Sequence, residues 1–338
     1  MKKIKFGFYI LASASILVVG CTKKASVAPE ADKEFQSSVD ASYATSLVTE
    51  IDDIVGYLGE GYTNLNTPYF INVGGTGSIQ YSTPSASVIA ISYNGTVTCA
   101  DGKKRSGTIT LDNSASSVPN AAKYYRDAGY VGKVILSNYV VDGWTVNNAS
   151  SLTITNVNAN GYNPATTPLS WKLVGNLYFS YPVGSASADS ITWKGTLTKT
   201  LTNSTNSLVL APSKLLKINW ITYTTTPAIG RIVISSANIT YAGTVTGVVS
   251  KTKAYTYTIS DDNKLTRNFG CTPDNIFIVP TATSFSTSYS EWHPFTQGVV
   301  NYNLSSLPEP RVIDYGSGCD NSGNITIKGI SYPIDFKK

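Results

Sequence analysis

Residues 171–181 read Trp171-Lys172-Leu173-Val174-Gly175-Asn176-Leu177-Tyr178-Phe179-Ser180-Tyr181, and every second position, counted from the tryptophan, is mostly apolar. Successive side chains of a β-strand point to opposite faces, so this alternation predicts a strand with one buried face. The pattern recurs shortly afterwards in Ile191, Trp193, Gly195 and Leu197. From Tyr69 onward we therefore expect long antiparallel strands.

Turn signals separate these predicted strands. Asp142-Gly143 lies between the apolar runs 139–141 and 144–146. An aspartate-glycine pair favours the type I′ turn, whose twist matches that of the two strands it joins. Further turn signals are found at residues 101–102 and 261–263. Neighbouring strands should therefore be joined by short hairpins.

One segment ahead of the strands has a helical period, which predicts an amphipathic helix over residues 32–61. Gly59 and Gly61 end the pattern. Glu50, Asp52 and Asp53 form its polar face. A carboxylate cluster for a metal is one interpretation; a helix packed on a sheet, with its acids in water, is the favoured one. The apolar positions, three or four apart, are Phe35, Val39, Tyr43, Leu47, Ile51, Ile54, Val55 and Leu58.

These patterns predict the fold class and the order of the parts. The fold is mainly β, with long antiparallel strands in a sandwich of twisted sheets and one N-terminal amphipathic helix. The β body covers residues 62–338. Short stretches around Cys99 and Cys319 are similar to each other, which suggests two related halves in this body.

The N-terminus has the pattern of an export signal. The basic start Met1-Lys2-Lys3-Ile4-Lys5 precedes an apolar run, and Val18-Val19-Gly20-Cys21 closes it. This arrangement resembles a bacterial lipoprotein signal with its lipobox, and the apolar run is too short to span a bilayer. The resemblance implies a signal peptide over residues 1–20, acylation of Cys21, for example by palmitate, and a flexible tether over residues 21–31.

Charge argues against a nucleic-acid partner. The chain has 26 Lys and Arg against 21 Asp and Glu, and three of the lysines lie in the predicted signal peptide. A phosphate-binding surface needs clustered cations. The tightest cluster of the body, Lys103-Lys104-Arg105, follows Asp101-Gly102, and we interpret it as the solvated tip of a hairpin.

Three cysteines remain once Cys21 carries lipid, so at most one internal disulfide can form. Cys271 with Cys319 is one pairing and Cys99 with Cys319 is the alternative, and the sequence leaves both open. A zinc site built from these thiolates and His293 is disfavoured because no two ligands have short metal-knuckle spacing. We expect no metal and no cofactor.

Residues 311–321, Arg311-Val312-Ile313-Asp314-Tyr315-Gly316-Ser317-Gly318-Cys319-Asp320-Asn321, form a distinctive C-terminal motif. With segments 99–107, 139–143 and 265–271, it resembles a group of uncharacterised lipoproteins from Bacteroidota. The resemblance implies a mostly β protein of the cell envelope, held by lipid at the outer membrane. Thr22-Lys23-Lys24 replaces the acidic residues that often follow the cysteine in surface-exported members, so both the periplasmic and the surface-exposed face stay open.

The sequence offers little for catalysis, and we expect no enzyme. It contains one histidine, no Gly-x-Ser-x-Gly elbow and no glycine-rich phosphate loop. Asp314 and Asp320 could form a glycosidase pair, but aspartates in a glycine-rich turn usually bind nearby backbone amides. Asp261, Asp262 and Asp274 lack the spacing of a calcium loop.

Binding is the more plausible activity. Tyr289, Trp292 and Phe295 lie in an aromatic-rich stretch, and aromatic rings in loops are natural platforms for sugars. The leading hypothesis is a lipid-anchored envelope lipoprotein with a non-catalytic structural or interaction role. The alternative is a glycan-binding surface lipoprotein that uses these aromatics. The expected partners are the membrane, through the lipid, and an envelope protein or glycan.

Overall fold

The structure is a computed structural model. It describes residues 34–60, 69–70, 72–99, 101–116, 124–158, 168–181, 189–202, 208–210, 216–218, 224–225, 232–233, 238–268 and 295–336. The predicted signal peptide and tether lie outside these ranges. The described residues belong to one compact unit, Lys33–Lys338.

A helix, α1, precedes nineteen strands in the described residues. The helix covers Gln36–Gly59, inside the range predicted for it. The strands are β1 (Asn72–Gly75), β2 (Ser78–Ser85), β3 (Val88–Cys99), β4 (Lys104–Asp112), β5 (Val131–Val141), β6 (Trp144–Asn156), β7 (Ser170–Tyr181), β8 (Asp189–Leu201), β9 (Leu208–Leu210), β10 (Leu216–Ile218), β11 (Thr224–Thr225), β12 (Ile232–Val233), β13 (Asn238–Val249), β14 (Lys253–Ile259), β15 (Leu265–Asn268), β16 (Val299–Leu304), β17 (Arg311–Asp314), β18 (Ser322–Ile327) and β19 (Ile330–Asp335).

Fifteen of these strands form a single antiparallel sheet, which confirms the prediction of a mainly β protein. Its order is β1-β3-β4-β5-β6-β7-β8-β13-β14-β16-β17-β18-β19, while β2 pairs with β3 and β15 with β13. The pairs β9–β10 and β11–β12 form two small sheets. The predicted sandwich of large sheets is not found among the described strands, because the inner face of the single large sheet packs on α1 instead.

Ring contacts at two points of α1 show that the sheet curves around the helix. Phe35, just before α1, packs on Tyr332 of β19 with ring centroids 5.1 Å apart, and Tyr43 packs on Trp144 of β6 at 5.5 Å. Phe35 and Tyr43 are about two helical turns apart, which is about 12 Å along the helix axis. In a flat sheet β6 and β19 would lie about 40 Å apart. The sheet must therefore bend around α1.

The curvature explains why α1 is buried on nearly every side. Apart from Gln36 and the half-buried Tyr43, the residues of the helix are buried, polar ones included. The helix is therefore not the amphipathic surface helix that its apolar spacing predicts. Polar side chains of α1 find partners in the sheet: Trp193 Nε1, for example, donates to Thr45 Oγ1 at 3.2 Å.

The hairpin predictions agree with the observed register. Leu173 pairs with Leu197 and Leu177 with Trp193 across β7 and β8, with their side chains buried. Asp142 and Gly143 have φ values of 47° and 81°. Positive φ at both central residues is what a type I′ turn requires, and the turn joins β5 to β6 as expected.

Among the described residues, no helix combines the length and the apolar character that crossing a bilayer requires.

Candidate functional site

The charges of α1 and of the sheet around it are segregated by sign. Residues 36–60 contain acidic side chains and no basic one. The cations that contact them come from the sheet and its loops, chiefly Arg105 on β4, Lys199 on β8 and Arg267 on β15. Each occupies an inward position of its strand, in phase with the buried apolar residues. We call this arrangement the helix–sheet charge cluster, and its acids are Glu50, Asp52, Asp53, Glu60 and, on a loop, Asp101.

The helix–sheet charge cluster consists of three groups of ion pairs, and the first is centred on Glu50. Its carboxylate accepts hydrogen bonds from Lys103 and Arg105. Arg105 also donates to Asp101 through both terminal guanidinium nitrogens, at 2.7 Å for Nη1 to Oδ1 and 2.5 Å for Nη2 to Oδ2. The Arg105 side chain has no exposed surface. Two carboxylates thus share one buried guanidinium, whose planar fork suits such paired contacts.

Lys199 is the centre of the second group. Its Nζ lies 2.5 Å from Oδ2 of Asp52 and 3.4 Å from Oδ1 of Asp53. Tyr125 donates from its hydroxyl to Oδ1 of Asp52 at 2.7 Å. Arg267 Nη1 lies 2.6 Å from Oδ2 of Asp53. Strands β8 and β15 are therefore joined to the same turn of α1 by buried ion pairs.

A third ion pair closes the C-terminal end of the helix. Glu60, the residue after α1, pairs with Arg126 and also accepts a hydrogen bond from its backbone N–H at 2.9 Å. The guanidinium of Arg126 stacks over the ring of Tyr124, with Cζ 4.4 Å from the ring centroid. The loop carrying residues 124–130 is thereby held against the end of the helix.

Burial and charge act in opposite directions on the carboxyl groups. Burial raises the pKa of Glu50, but the charges of Lys103 and Arg105 and their hydrogen bonds outweigh it and bring the pKa down from 4.5 to about 2. The pKa of Asp53 is raised, because for this group burial outweighs the neighbouring cations Arg267 and Lys199. Neighbouring acids of one helix are thus shifted in opposite directions.

The charge cluster is suited to holding the helix and poorly suited to chemistry on a substrate. Its side chains are largely buried and already paired, and burying charges costs free energy that only close pairing offsets. Within the described ranges, no group of three or more His, Cys, Asp or Glu residues could hold a metal ion. We interpret the cluster as the device that fixes the position of α1 in the curved sheet.

The structure corrects the sequence interpretation of two charged segments. Glu50, Asp52 and Asp53 lie inside the protein rather than in water. Arg105 is likewise buried, so 103–105 is not simply a solvated hairpin tip. Lys199 and Arg267 were missed as members of a site. The period of two could have identified them, because each lies in phase with buried leucines of its own strand, as in Leu197-x-Lys199-x-Leu201.

Of the predicted ligand-contacting aromatics, Phe295 lies within the described residues. It is 1% exposed and packs edge-on against Tyr241 and Tyr315, at centroid distances of 5.9 and 5.5 Å. Such a ring presents no face to a ligand in solvent, which corrects the expectation for this residue. Tyr289 and Trp292 lie outside the described residues, as does Cys21.

The cysteines divide into a free thiol and a disulfide. Cys99 is free and buried, whereas Cys319 is disulfide-bonded. The alternative pairing of Cys99 with Cys319 is therefore wrong. Cys271 lies outside the described residues, and its pairing with Cys319 stays a prediction.

Asp314 and Asp320 have the turn roles that the glycine-rich sequence favours. Asp314 Oδ1 accepts from the N–H of Gly316 at 2.9 Å, and Asp320 Oδ1 accepts from the N–H of Ser322 at 2.8 Å. Both carboxylates therefore stabilise local turns in the C-terminal motif.

Comparisons with protein-family models, with curated proteins and with solved structures give no match for this chain.

Proposed function

We propose that this chain is a lipid-anchored lipoprotein of the cell envelope, held at the outer membrane, with a non-catalytic structural or interaction role. The observation that carries the proposal is the position of α1. It is the first helix or strand described after Cys21. It is buried inside the curved sheet and is held there by ion pairs to three strands. The element of the folded body that comes first after the proposed anchor, α1, is thus also part of the core.

This connection suits an anchor that must bear force. Residues 22–33 between the lipidated cysteine and the start of the described chain can extend at most about 40 Å. A pull on the lipid is transmitted to α1 and from there to Lys199, Arg105 and Arg267. Pulling α1 out of the sheet would leave these cations buried without their carboxylate partners, which is strongly unfavourable. The load is therefore shared by the whole sheet rather than by one edge strand.

Acylation of Cys21 is the direct test of the anchor. Cells expressing the wild-type chain, Cys21→Ser and Cys99→Ser are grown with an alkyne-bearing palmitate analogue, and the membrane fraction is probed for label. We expect label and membrane retention for the wild type and for Cys99→Ser, and neither for Cys21→Ser. An unlabelled wild-type protein that keeps residues 1–20 contradicts the proposal.

The interaction role has its own test. Chemical cross-linking of intact cells followed by detergent extraction and affinity capture should recover the chain with an envelope protein partner, and the partner should be lost with Cys21→Ser. If the captured protein is monomeric under cross-linking at native expression, the interaction role is wrong, whatever the state of Cys21.

A second candidate, glycan binding, is favoured by an exposed aromatic ring. Tyr181, at the end of β7, is 43% exposed and is stacked on the buried Trp144 with centroids 5.1 Å apart and an interplanar angle of 28°. A partly exposed ring that is stacked on a buried tryptophan can pack against a sugar at little entropic cost. Tyr181 thus takes the role that the sequence assigned to Phe295.

A glycan array probed with the full chain and with Tyr181→Ala tests this candidate. Tyr332→Ala is the control, because Tyr332 is a partly buried tyrosine on another strand. Binding that is lost with Tyr181→Ala and kept with Tyr332→Ala supports the candidate. Absence of binding, or binding that ignores Tyr181, removes it.

A further inference from the structure

An interruption of the sheet beside β13 creates a cleft. Strands β14 and β15 pair with consecutive parts of β13, since Gly243 pairs with Ile259 and Tyr241 with Leu265. Residues 260–264, between β14 and β15, lie opposite the single residue Ala242 and do not pair with β13. Irregularities of this kind expose backbone and re-aim side chains, and they are frequent next to functional sites.

The cleft has a volume of about 480 Å³, within the range of small-molecule sites. The excursion 260–264 forms one wall, the end of β17 with Asp314 and Gly316 forms the other, and Gly298 and Val299 lie between them. The side chains around it carry carboxylates, amides and hydroxyls, and Val299 supplies the apolar surface. A peptide or lipid would find little apolar surface to contact here. A ligand dense in hydroxyl groups would find many hydrogen-bonding partners.

A hydroxyl in the lining has no hydrogen-bond partner among the described residues. Thr240 lies on β13 opposite Thr266, and its Oγ1 is buried without a hydrogen bond to any described group. Buried polar groups are almost always satisfied, so this hydroxyl is available to a water molecule or to a ligand in the cleft. This observation is independent of the charges in the cleft.

The cleft also carries an excess of negative charge. Lys264 pairs with Asp261, at 3.5 Å between Nζ and Oδ1. Asp262 and Asp314 form no ion pair with any cation in the described part of the chain, although Asp314 accepts from Gly316. The metal explanation fails here, since the described acids of this region do not form a metal-ligating group. An organic cation with hydroxyl groups matches both the charge and the lining.

The geometry points to a binding site in this cleft for a saccharide that carries free amino groups. The hydroxyls of the sugar replace water on Thr240, Thr266 and the amide side chains, and an ammonium group lies between Asp262 and Asp314. This site is separate from Tyr181 and from the lipid anchor, and neither of those proposals is needed for it.

The chain offers a steric probe of the cleft with a matched control. Gly316 lines the cleft at φ +69°, and a Cβ built on it meets nothing within 4 Å. Gly329 has φ +77° and the same free space but does not line the cleft. Asparagine tolerates this backbone conformation better than most residues. Gly316→Asn therefore fills cleft space, and Gly329→Asn carries the same backbone cost elsewhere.

The experiment is a calorimetric titration of the full chain in detergent with three probes: a trimer of glucosamine, its N-acetylated counterpart and spermidine. We expect the glucosamine trimer to bind, the acetylated trimer to bind at least tenfold more weakly, and spermidine to show no saturable binding. Gly316→Asn should lower the affinity for the glucosamine trimer at least tenfold. Asp262→Asn and Asp314→Asn should each lower it about fivefold. Gly329→Asn should stay within twofold of the wild type.

Three results would overturn the inference. The first is no binding of the glucosamine trimer to the wild type. The second is an affinity for the acetylated trimer, or for spermidine, equal to that for the glucosamine trimer. Equal affinity for the acetylated trimer would mean that hydroxyls alone suffice for binding, and equal affinity for spermidine would mean that charge alone does. The third is unchanged affinity in the cleft variants. Should Gly316→Asn fail to fold, Asp262→Asn and Asp314→Asn decide the question, because an amide keeps the size of the carboxylate and removes its charge.

Discussion

Lys199 Nζ lies 2.5 Å from Oδ2 of Asp52, and neither side chain has any exposed surface. The two residues are 147 positions apart in the sequence, one on β8 and the other on α1. Their pairing joins the helix to the middle of the sheet. A buried pair of this kind adds little stability compared with apolar side chains of equal size, yet losing one partner leaves a charge buried alone. The geometry therefore makes the position of α1 specific.

Replacing Lys199 by methionine should destabilise the protein by about 3–5 kcal/mol, because Asp52 and Asp53 lose their shared cation. Urea unfolding followed by circular dichroism measures the change. Lys194→Met is the matched control: Lys194 lies on the same strand and points outward, so its effect should stay within about 0.5 kcal/mol. The double variant Lys199→Met/Asp52→Leu should recover part of the loss. Equal midpoints for Lys199→Met and the wild type would refute the interpretation.

Stability should fall with acid in a way that depends on Glu50. The pKa of this carboxyl is about 2 in the folded protein and 4.5 in its reference state. A folded pKa below the unfolded one stabilises the protein above the unfolded pKa, and this contribution is lost as the pH falls through the folded pKa. Between pH 4.5 and 2 the wild type should thus lose about 3 kcal/mol more than Glu50→Gln.

Urea midpoints measured at steps of half a pH unit decide this prediction. The raised pKa of Asp53 changes stability in the opposite direction, because its stabilising contribution is present at low pH and is lost as the pH rises. The wild type and Glu50→Gln both contain Asp53, so this contribution cancels in the comparison. Asp261→Asn is the control, because the Asp261 side chain is 89% exposed. Parallel pH curves for the wild type and Glu50→Gln would show that Glu50 is not held in its charged form by the cluster.

The thiol of Cys99 should be inert in the folded protein. It is fully buried, and burial raises its pKa to about 12, so the reactive thiolate is scarce at pH 8. We expect Cys99 not to react with iodoacetamide until the chain is unfolded, and peptide mapping then to find the label on Cys99. Cys319 should become reactive only after reduction. Fast labelling of the native protein would contradict the observed burial.

Phe295→Ala should cost about 3–5 kcal/mol of stability, because it leaves a cavity between Tyr241 and Tyr315. A thermal melt monitored by circular dichroism measures the loss. Tyr181→Ala, which removes an exposed ring, should cost at most about 1 kcal/mol. If Phe295→Ala melts with the wild type, the residue is not part of the core.

Much of the strand architecture can be predicted from local pattern. The alternation in residues 171–181 predicts a strand, and β7 spans Ser170–Tyr181. The Asp142-Gly143 turn follows from the same kind of local rule, since positive φ favours these residues. Such features depend on the backbone and on near neighbours, so tertiary contacts need not be known.

The candidate site was harder to predict, because burial is a property of the whole fold. The apolar spacing of α1 describes a helix with one face on a sheet, and its acids then belong in water. In the structure the sheet continues around the helix, and the same acids meet Arg105, Lys199 and Arg267. Arg105 is 55 residues from Glu50 and Lys199 is 147 from Asp52, so no short-range pattern shows which acid meets which cation.

The sequence by itself determined that this protein is mainly β, where its helix lies and how its hairpins turn, because hydrophobic period and turn chemistry act over a few residues. Only the tertiary structure decided that the sheet bends around α1, that Glu50, Asp52 and Asp53 are interior, and that Cys99 is free. These depend on which strands meet the same helix. That is settled by the combined packing and charge pairing of segments far apart in the chain.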